Sequence, residues 1–400
     1  MKKYFPLSFI ELSKNNLIHN IKQFRNLAKR GTRLSLAIKG NAYGHGQNEI
    51  AKILEPYVDY FQINSVEELE LLRKVSKKKT LLLGYVQISD LEKAIKLGCI
   101  LTAFNLEQVR HISSVALMCQ VIPSAVPARA RQEIHIPVDA FLGREGFLVS
   151  ELSGLFKEIQ KYKNIKVSGI YAHFANIEDT RDFSHAQKQI DEYKKAIELA
   201  KSCGFQNARQ SGVNLETHIS ATSGLFVYEK NLGIHSMIRL GIGVYGMWPS
   251  ENIKKIYLPA QTGKNKIELK PVLSWKTKIA QIKTLPKGST VGYGLTYKTK
   301  KVMKIAIIPQ GYADGFDRNL SNKGEVLIGG TRCKVVGRVS MNMFTVDVNH
   351  LKNVKVEDEV VILGCQGDKE ITAEELAKKL DTINYEITTR ISSLLPRVIK

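Results

Sequence analysis

The sequence has no apolar run approaching the roughly 18 uninterrupted residues of a membrane-spanning helix, so no helical span is expected. It is sparing with cysteine. Cys99, Cys119, Cys203, Cys333 and Cys365 are scattered, with no CxxC or Cys/His spacing. Neither a metal site nor a disulfide framework is expected, and the pattern fits a reduced, cytoplasmic setting. Pro6, Ser8 and Glu11 interrupt the first apolar residues, which argues against a secretory signal. Acid is short as well: 38 Asp and Glu stand against 59 Lys and Arg, a net charge of +21. Such a field attracts nucleic acid, anionic membrane or acidic small molecules. The basic residues are nevertheless spread along the chain, with short clusters at Lys77–Lys79 and Lys298–Lys301, and no helix-turn-helix, zinc-finger or aromatic RNA-binding signature accompanies them. Neither a nucleic-acid nor a membrane partner is expected. Internal repeats and low-complexity linkers are also lacking.

What is present reads as a globular chain of two domains: 400 residues, 44% hydrophobic and 24% charged. After a strand-like run at Ser8–Leu12, Ser13 can cap a helix whose apolar face includes Leu17, Ile21, Phe24 and Ala28. Eight strand-like runs follow, most trailed by a helix: Leu34–Lys39, Tyr60–Ile63, Thr80–Leu83, Ile100–Ala103, Glu133–Val138, Val167–Ala172, Thr217–Ser220 and Met237–Leu240. That alternation predicts an α/β fold with an N-terminal (β/α)8, TIM-like barrel over residues 1–248. The strand at 8–12 stands apart from these eight and could pair with the β-domain instead. A basic stretch at Glu251–Lys270 reads as poor in helix. Residues 249–400 then become mostly β, with runs at Val272–Ile282, Val302–Ile308, Glu325–Ile328, Cys333–Val336 and Phe344–Val348 separated by glycine turns. A late helix is signalled at Thr372, with Glu375 three residues on and Leu376 and Leu380 facing inward.

The chemistry is expected at the carboxyl ends of the barrel strands. Leu34–Lys39 ends an apolar strand on a lysine, and burial lowers a lysine's pKa, freeing its amine to attack an aldehyde. The following Gly40-Asn-Ala-Tyr-Gly-His-Gly46 permits tight turns and positive φ. The other strand ends carry Arg144, His173, Thr222 with Ser223, and Arg239 with Gly241. Together they suit an anionic, planar, carbonyl-bearing ligand, a description that pyridoxal phosphate meets. An arginine facing the pyridine nitrogen keeps that nitrogen unprotonated, because the guanidinium does not give up its proton. The weaker electron sink favours brief removal and return of an α-proton over transamination.

Ala37-Ile-Lys39-Gly-Asn-Ala-Tyr43-Gly-His-Gly46 resembles the lysine signature of alanine racemase, and the likeness runs over nearly the whole chain. It continues through Gly143-Arg144, His173-Phe-Ala175, Arg239-Leu-Gly-Ile-Gly-Val-Tyr245-Gly, Val291-Gly-Tyr293-Gly, Gln310-Gly-Tyr312-Ala-Asp-Gly315, Gly337-Arg-Val-Ser-Met341 and Ile383-Asn-Tyr385-Glu. The resemblance implies pyridoxal 5'-phosphate in Schiff-base linkage to Lys39, which would also serve as the base on the D-face. Tyr293 of the partner subunit would be the L-face base. His173 would link Tyr293 towards Arg239 at the pyridine nitrogen, and Arg144 would sit near the cofactor phenolate and the substrate carboxylate. Tyr43, Thr222, Tyr385 and the amides around Gly241 and Ile242 would hold phosphate. Met341 of the partner subunit would shape the substrate pocket, with Tyr312 at the shared entrance. The implied activity interconverts L- and D-alanine in a homodimer, supplying D-alanine for peptidoglycan.

Three departures stand out. Pro137 occupies the place of a lysine, often carbamylated, that supports the arginine corresponding to Arg144; a neighbouring acidic side chain or a bound anion could substitute. Asn342 replaces a common aspartate, and Ala221-Thr222-Ser223 replaces a frequent Asn-Ser-Ala. The remaining histidines, His135 and His218 among them, read as structural. The alternatives are a racemase of wider specificity for serine or other small amino acids, a basic amino-acid decarboxylase, against which Arg239 argues, and a non-catalytic basic binding protein.

Overall fold

Strand β1 (Phe9–Leu12) is followed by a helix over Lys14–Leu27 and then by eight parallel strands. These are β2 (Arg33–Ala37), β3 (Tyr60–Ile63), β4 (Thr80–Leu82), β5 (Ile100–Thr102), β6 (Gln132–Pro137), β7 (Ile165–Tyr171), β8 (Glu216–His218) and β9 (Met237–Leu240). The structure, a computed structural model, describes residues 6–121, 131–205, 215–232, 236–258 and 267–400. The eight strands form one sheet in the order β8-β7-β6-β5-β4-β3-β2-β9. Its edges meet where Ser236 N donates to Thr217 O at 3.0 Å and Arg239 N to Ser220 O at 3.0 Å. The result is the nearly closed (β/α)8 barrel expected from the alternation.

Near-continuous burial of β3, β4, β5, β8 and β9 is what a parallel sheet covered by helices requires. Helix Val66–Arg73 shows how the cover forms. Ser65 Oγ accepts from Glu68 N at 3.3 Å and sets the start, and Val66, Leu69 and Leu72 turn inward at helical spacing. Each such aliphatic side chain contributes about 2 kcal/mol of burial. At the amino ends of the barrel strands, Tyr60, Leu81, Ile100 and Met237 close an apolar cluster.

The described residues fall into two compact units. One comprises Ile18–Lys39 with Ile50–Leu269, the barrel; the other comprises Met1–Leu17, Gly40–Glu49 and Lys270–Lys400. In the second, β1 pairs antiparallel with Leu273–Lys278 and parallel with Arg397–Ile399. The run read as Val272–Ile282 is two strands, Leu273–Lys278 and Gln281–Leu285, belonging to different sheets. The chain changes partners between them: Ile279 N donates to Asp358 O and Ala280 N to Ile307 O. Thr372 caps helix Ala373–Leu380 through Glu375 N at 3.0 Å; Leu376 is buried and Leu380 half-buried. The stretch read as poor in helix begins with one, Glu251–Tyr257. Ser250 Oγ accepts from Ile253 N at 3.1 Å there, a cap that outweighs the run of charge.

Lys39 lies just beyond β2 and starts a left-handed turn. Gly40, Asn41 and Ala42 have φ/ψ near 60/45, 53/43 and 54/52, and Tyr43 follows at φ 53. Gly44 N closes it on Gly40 O at 3.0 Å, and Gln47 N donates to Asn41 Oδ1 at 3.0 Å. Gly44 has φ +84, and a Cβ there would lie 1.9 Å from Thr388 O.

Candidate active site

In the barrel unit, the half-buried Lys39 amine has its pKa lowered, first by burial and then by the charges of Arg144 and Arg239; Glu68 and Glu145 oppose the shift. A larger neutral fraction makes the amine a nucleophile and a base. Arg144 is carried on the loop after β6. Asp139 Oδ1 shapes that loop by accepting from Leu142 N and Gly143 N, both at 2.9 Å. The next residue is an acidic partner for it: Arg144 Nη2 donates to Glu145 Oε1 at 2.8 Å, and Nε donates to Oε2. Burial works against the Glu145 charge, but the hydrogen bonds and charge of Arg144, with Arg239 beyond, hold its carboxyl below the usual range. With Arg144 59% exposed, the pair adds little stability.

Arg239 is buried, 6% exposed, and among the described residues no carboxylate reaches it within ion-pair distance. Its terminal nitrogens are spent on neutral acceptors. Nη1 donates to His218 Nδ1 and to His218 O at 3.0 Å. Nη2 donates to Ala172 O at 2.7 Å, Ile219 O at 3.1 Å and His173 Nδ1 at 2.9 Å. The guanidinium also lies over the Tyr171 ring, 5.2 Å from its centroid. Among the described residues, Nε is the guanidinium nitrogen left without a protein acceptor. Burial, followed by the charges of Arg239, Arg144 and Lys39, lowers the His173 pKa to about 3, so this imidazole is neutral.

Beside these groups, Thr222 opens helix Thr222–Leu232, and its Oγ1 accepts from Gly241 N at 3.2 Å. Ile242 begins the short turn that follows. A Cβ on Gly243 would come within 2.4 Å of Phe24 Cζ and 2.7 Å of Thr222 Cγ2, so glycine there keeps this turn close to the helix start.

The other named residues belong to the second unit. The Tyr43 and Tyr385 rings lie 6.0 Å apart. Tyr293 sits between Gly292, whose Cβ would meet Arg338 backbone at 3.2 Å, and Gly294, whose Cβ would meet the Arg338 guanidinium at 2.9 Å. Tyr312 N donates to Ser340 O at 3.1 Å and Ala313 N to Met341 O at 3.0 Å. The loops bearing Tyr293, Tyr312 and Met341 are therefore neighbours, and all three side chains are exposed.

The family model of the alanine racemase N-terminal domain matches residues 12–249, and that of the C-terminal domain matches residues 272–399. An alanine racemase of Leptospira interrogans is 34% identical over 394 residues, covering 98% of this chain and 95% of its own length. The chain belongs to the alanine racemase family. An alanine racemase of Caldanaerobacter subterraneus is likewise 34% identical over 97% of this chain and 94% of its own. Among solved structures, an alanine racemase of Clostridium difficile superimposes with a TM-score of 0.87 at 31% identity, covering 100% of this chain and 97% of that one. One from Bacillus anthracis gives 0.85 at 27% identity, covering 100% and 96%.

Against that family, the structure adds groups the sequence did not single out. Glu145 pairs with Arg144. His218, read as structural, bonds directly to Arg239, and His135, read likewise, lies 3.0 Å from His218 between Nδ1 and Nε2. A signal was present: Glu133, His135 and Pro137 on β6, and Glu216 and His218 on β8, alternate with period two. It could not say which face of the barrel they shared.

Proposed function

We propose that this racemase interconverts L- and D-alanine by a two-base mechanism with pyridoxal 5'-phosphate. The observation that carries the reading is Arg239: buried, with no carboxylate in ion-pair reach among the described residues, its terminal N–H groups committed and Nε–H left over, its charge helping to lower the Lys39 pKa. A donor that keeps its proton suits a pyridine nitrogen that stays unprotonated. Lys39 would hold the cofactor through its ε-amine. The Thr222 hydroxyl, the Gly241 and Ile242 amides, Tyr43 and Tyr385 would hold phosphate. Gly243 supports that reading by keeping the turn packed against the start of the Thr222 helix, next to the Gly241 and Ile242 amides. Bound there, the cofactor supplies an electron sink that acidifies the alanine Cα–H.

The chain's own residues do the rest. Arg144, oriented by Glu145, binds the substrate carboxylate. Lys39 Nζ removes or returns the α-proton on the D-face, and Tyr293 of the partner subunit does so at its phenolic oxygen on the L-face. Inversion needs both, because the proton taken from one face must be replaced on the other. His173, accepting from Arg239 at Nδ1, carries its proton on Nε2, the atom proposed to donate to that phenolate. Met341 of the partner subunit would bound the methyl pocket and Tyr312 the entrance. D-alanine for peptidoglycan is the proposed use.

Exchange of the α-proton in deuterated water tests the reading. Wild type should exchange both enantiomers. Lys39→Ala should lose activity and the covalently held cofactor's absorbance. Tyr293→Phe should slow exchange of L-alanine more than of D-alanine. Purified wild type with no bound cofactor, or equal losses for both enantiomers in Tyr293→Phe, would sink it.

A further inference from the structure

Behind Arg239 a line of polar side chains runs through the barrel to the amino ends of its strands. Arg239 Nη1 meets His218 Nδ1; His218 Nε2 lies 3.0 Å from His135 Nδ1; and His135 Nε2 faces Glu216 Oε2 at 3.5 Å. Those last two atoms are buried, and neither makes a hydrogen bond among the described residues; their contact is an electrostatic approach. The other Glu216 oxygen, Oε1, accepts from Tyr60 OH and Arg33 Nη1. Arg33 is partly exposed, whereas the Glu216 side chain is only 4% exposed. Space is kept for the line. A Cβ on Gly169 would lie 2.5 Å from His135 Cε1 and Nε2, and Tyr171 stacks on His218 with ring centroids 5.0 Å apart and planes 8° from parallel.

The direction of every proton in this line follows from its first member. Arginine has donors only, so His218 Nδ1 must accept. A neutral imidazole carries one proton, so that of His218 is on Nε2. His135 Nδ1 must then accept in turn, which leaves the His135 proton on Nε2, the nitrogen 3.5 Å from Glu216 Oε2. A carboxylate, which only accepts, completes the sequence; a donor in its place would oppose it. Burial above all holds His135 neutral, with a pKa of about 3, so the chain transmits orientation rather than a second positive charge.

We propose that Glu216 is a positioning residue for racemisation, fixing the His135 and His218 tautomers that hold Arg239 in place. The proposal rests on Arg239 serving the catalytic site, but its primary readout does not depend on activity. In Glu216→Gln, Oε1 remains with Tyr60 and Arg33, and the amide NH2 faces His135 Nε2. That nitrogen must then accept, moving the His135 proton to Nδ1 and setting two donors against each other further along at Arg239.

The test is 15N NMR of the histidine-labelled enzyme as purified, with steady-state kinetics on the same samples. Wild type should show both His135 and His218 protonated on Nε2. Glu216→Gln should invert the His135 tautomer and lower kcat about tenfold with KM for alanine little changed. Glu216→Asp, which keeps an acceptor, should restore the wild-type tautomers and most of kcat. A wild-type His135 proton on Nδ1 overturns the proposal without any variant. So does a Glu216→Gln enzyme with unchanged tautomers or unchanged kcat.

Discussion

Arg239 has five N–H donors and no acceptor, and the electrostatics around it follow from that asymmetry. Each imidazole it touches must be neutral at the contacting nitrogen. Burial does the most to lower the pKa of His135 to about 3, His173 to about 3 and His45 to about 4, against 6.5 for a free imidazole. In the unfolded chain these groups take up protons below about pH 6.5; in the fold they do not until near 3 to 4. Stability is therefore full above 6.5 and is lost as the pH falls through the interval below it. Urea unfolding should show a loss of at least about 1 kcal/mol per pH unit between about pH 6 and 4.5, reversible on return to neutrality. A flat profile across that range would mean that the imidazoles are protonated in the fold. Lys39, Arg144, His173 and Arg239 were legible as strand ends, because a parallel barrel displays its strand ends together. His135, His218 and Glu216 were not. A lone histidine on a strand is ordinarily a core residue, and only closure of the sheet puts β6 and β8 within reach of β9. Glu145 was anticipated only in kind, as an acid or anion that could stand in where Pro137 cannot act.

Among the described residues, the turn after Lys39 gathers consecutive non-glycine residues at positive φ: Asn41, Ala42 and Tyr43. Its glycines and Asn41 were readable as tolerant of positive φ, but Ala42 and Tyr43 also adopt it, at a cost of about 1–2 kcal/mol each for L-residues. The cost is offset by anchoring: Arg397 Nη2 donates to Gly44 O at 2.7 Å and Nε to the same atom at 3.3 Å. Holding such backbone requires surroundings that permit no alternative. Gly44→Ala should therefore destabilise by about 2–4 kcal/mol, since its Cβ would strike Thr388 O. Gly98→Ala makes the comparison, because it shares a positive φ, +73, and has nothing within 4 Å of the added carbon. It should cost only about 1 kcal/mol. Equal losses in denaturant unfolding would show that the Thr388 approach does not constrain the turn. The barrel strands were readable for the opposite reason, being short, apolar and unstrained. The Val272–Ile282 break was not, since it depends on Asp358 O and Ile307 O, partners distant in sequence.

At the scale of the whole molecule, the net charge of +21 conveys less than a small apolar group on the second unit. Tyr293, Leu295, Tyr312, Met341 and Met343 are exposed by 73%, 67%, 43%, 55% and 51%, on loops that neighbour one another. Exposed apolar side chains gathered in this way mark an interaction surface, and a second copy of the chain is the proposed occupant. The proposal that Tyr293 serves the site of the partner subunit has a consequence that no single variant can imitate. Lys39→Ala and Tyr293→Phe should each be nearly inactive as pure proteins. When they are mixed, unfolded and refolded together, half of the dimers combine one of each. In such a dimer one site receives both lesions, and the other pairs an intact Lys39 with an intact Tyr293 from the neighbouring chain. Activity should return to about one quarter of wild type in a 1:1 mixture. If each site used its own chain's Tyr293, every site in every dimer would carry one lesion, and mixing would restore nothing.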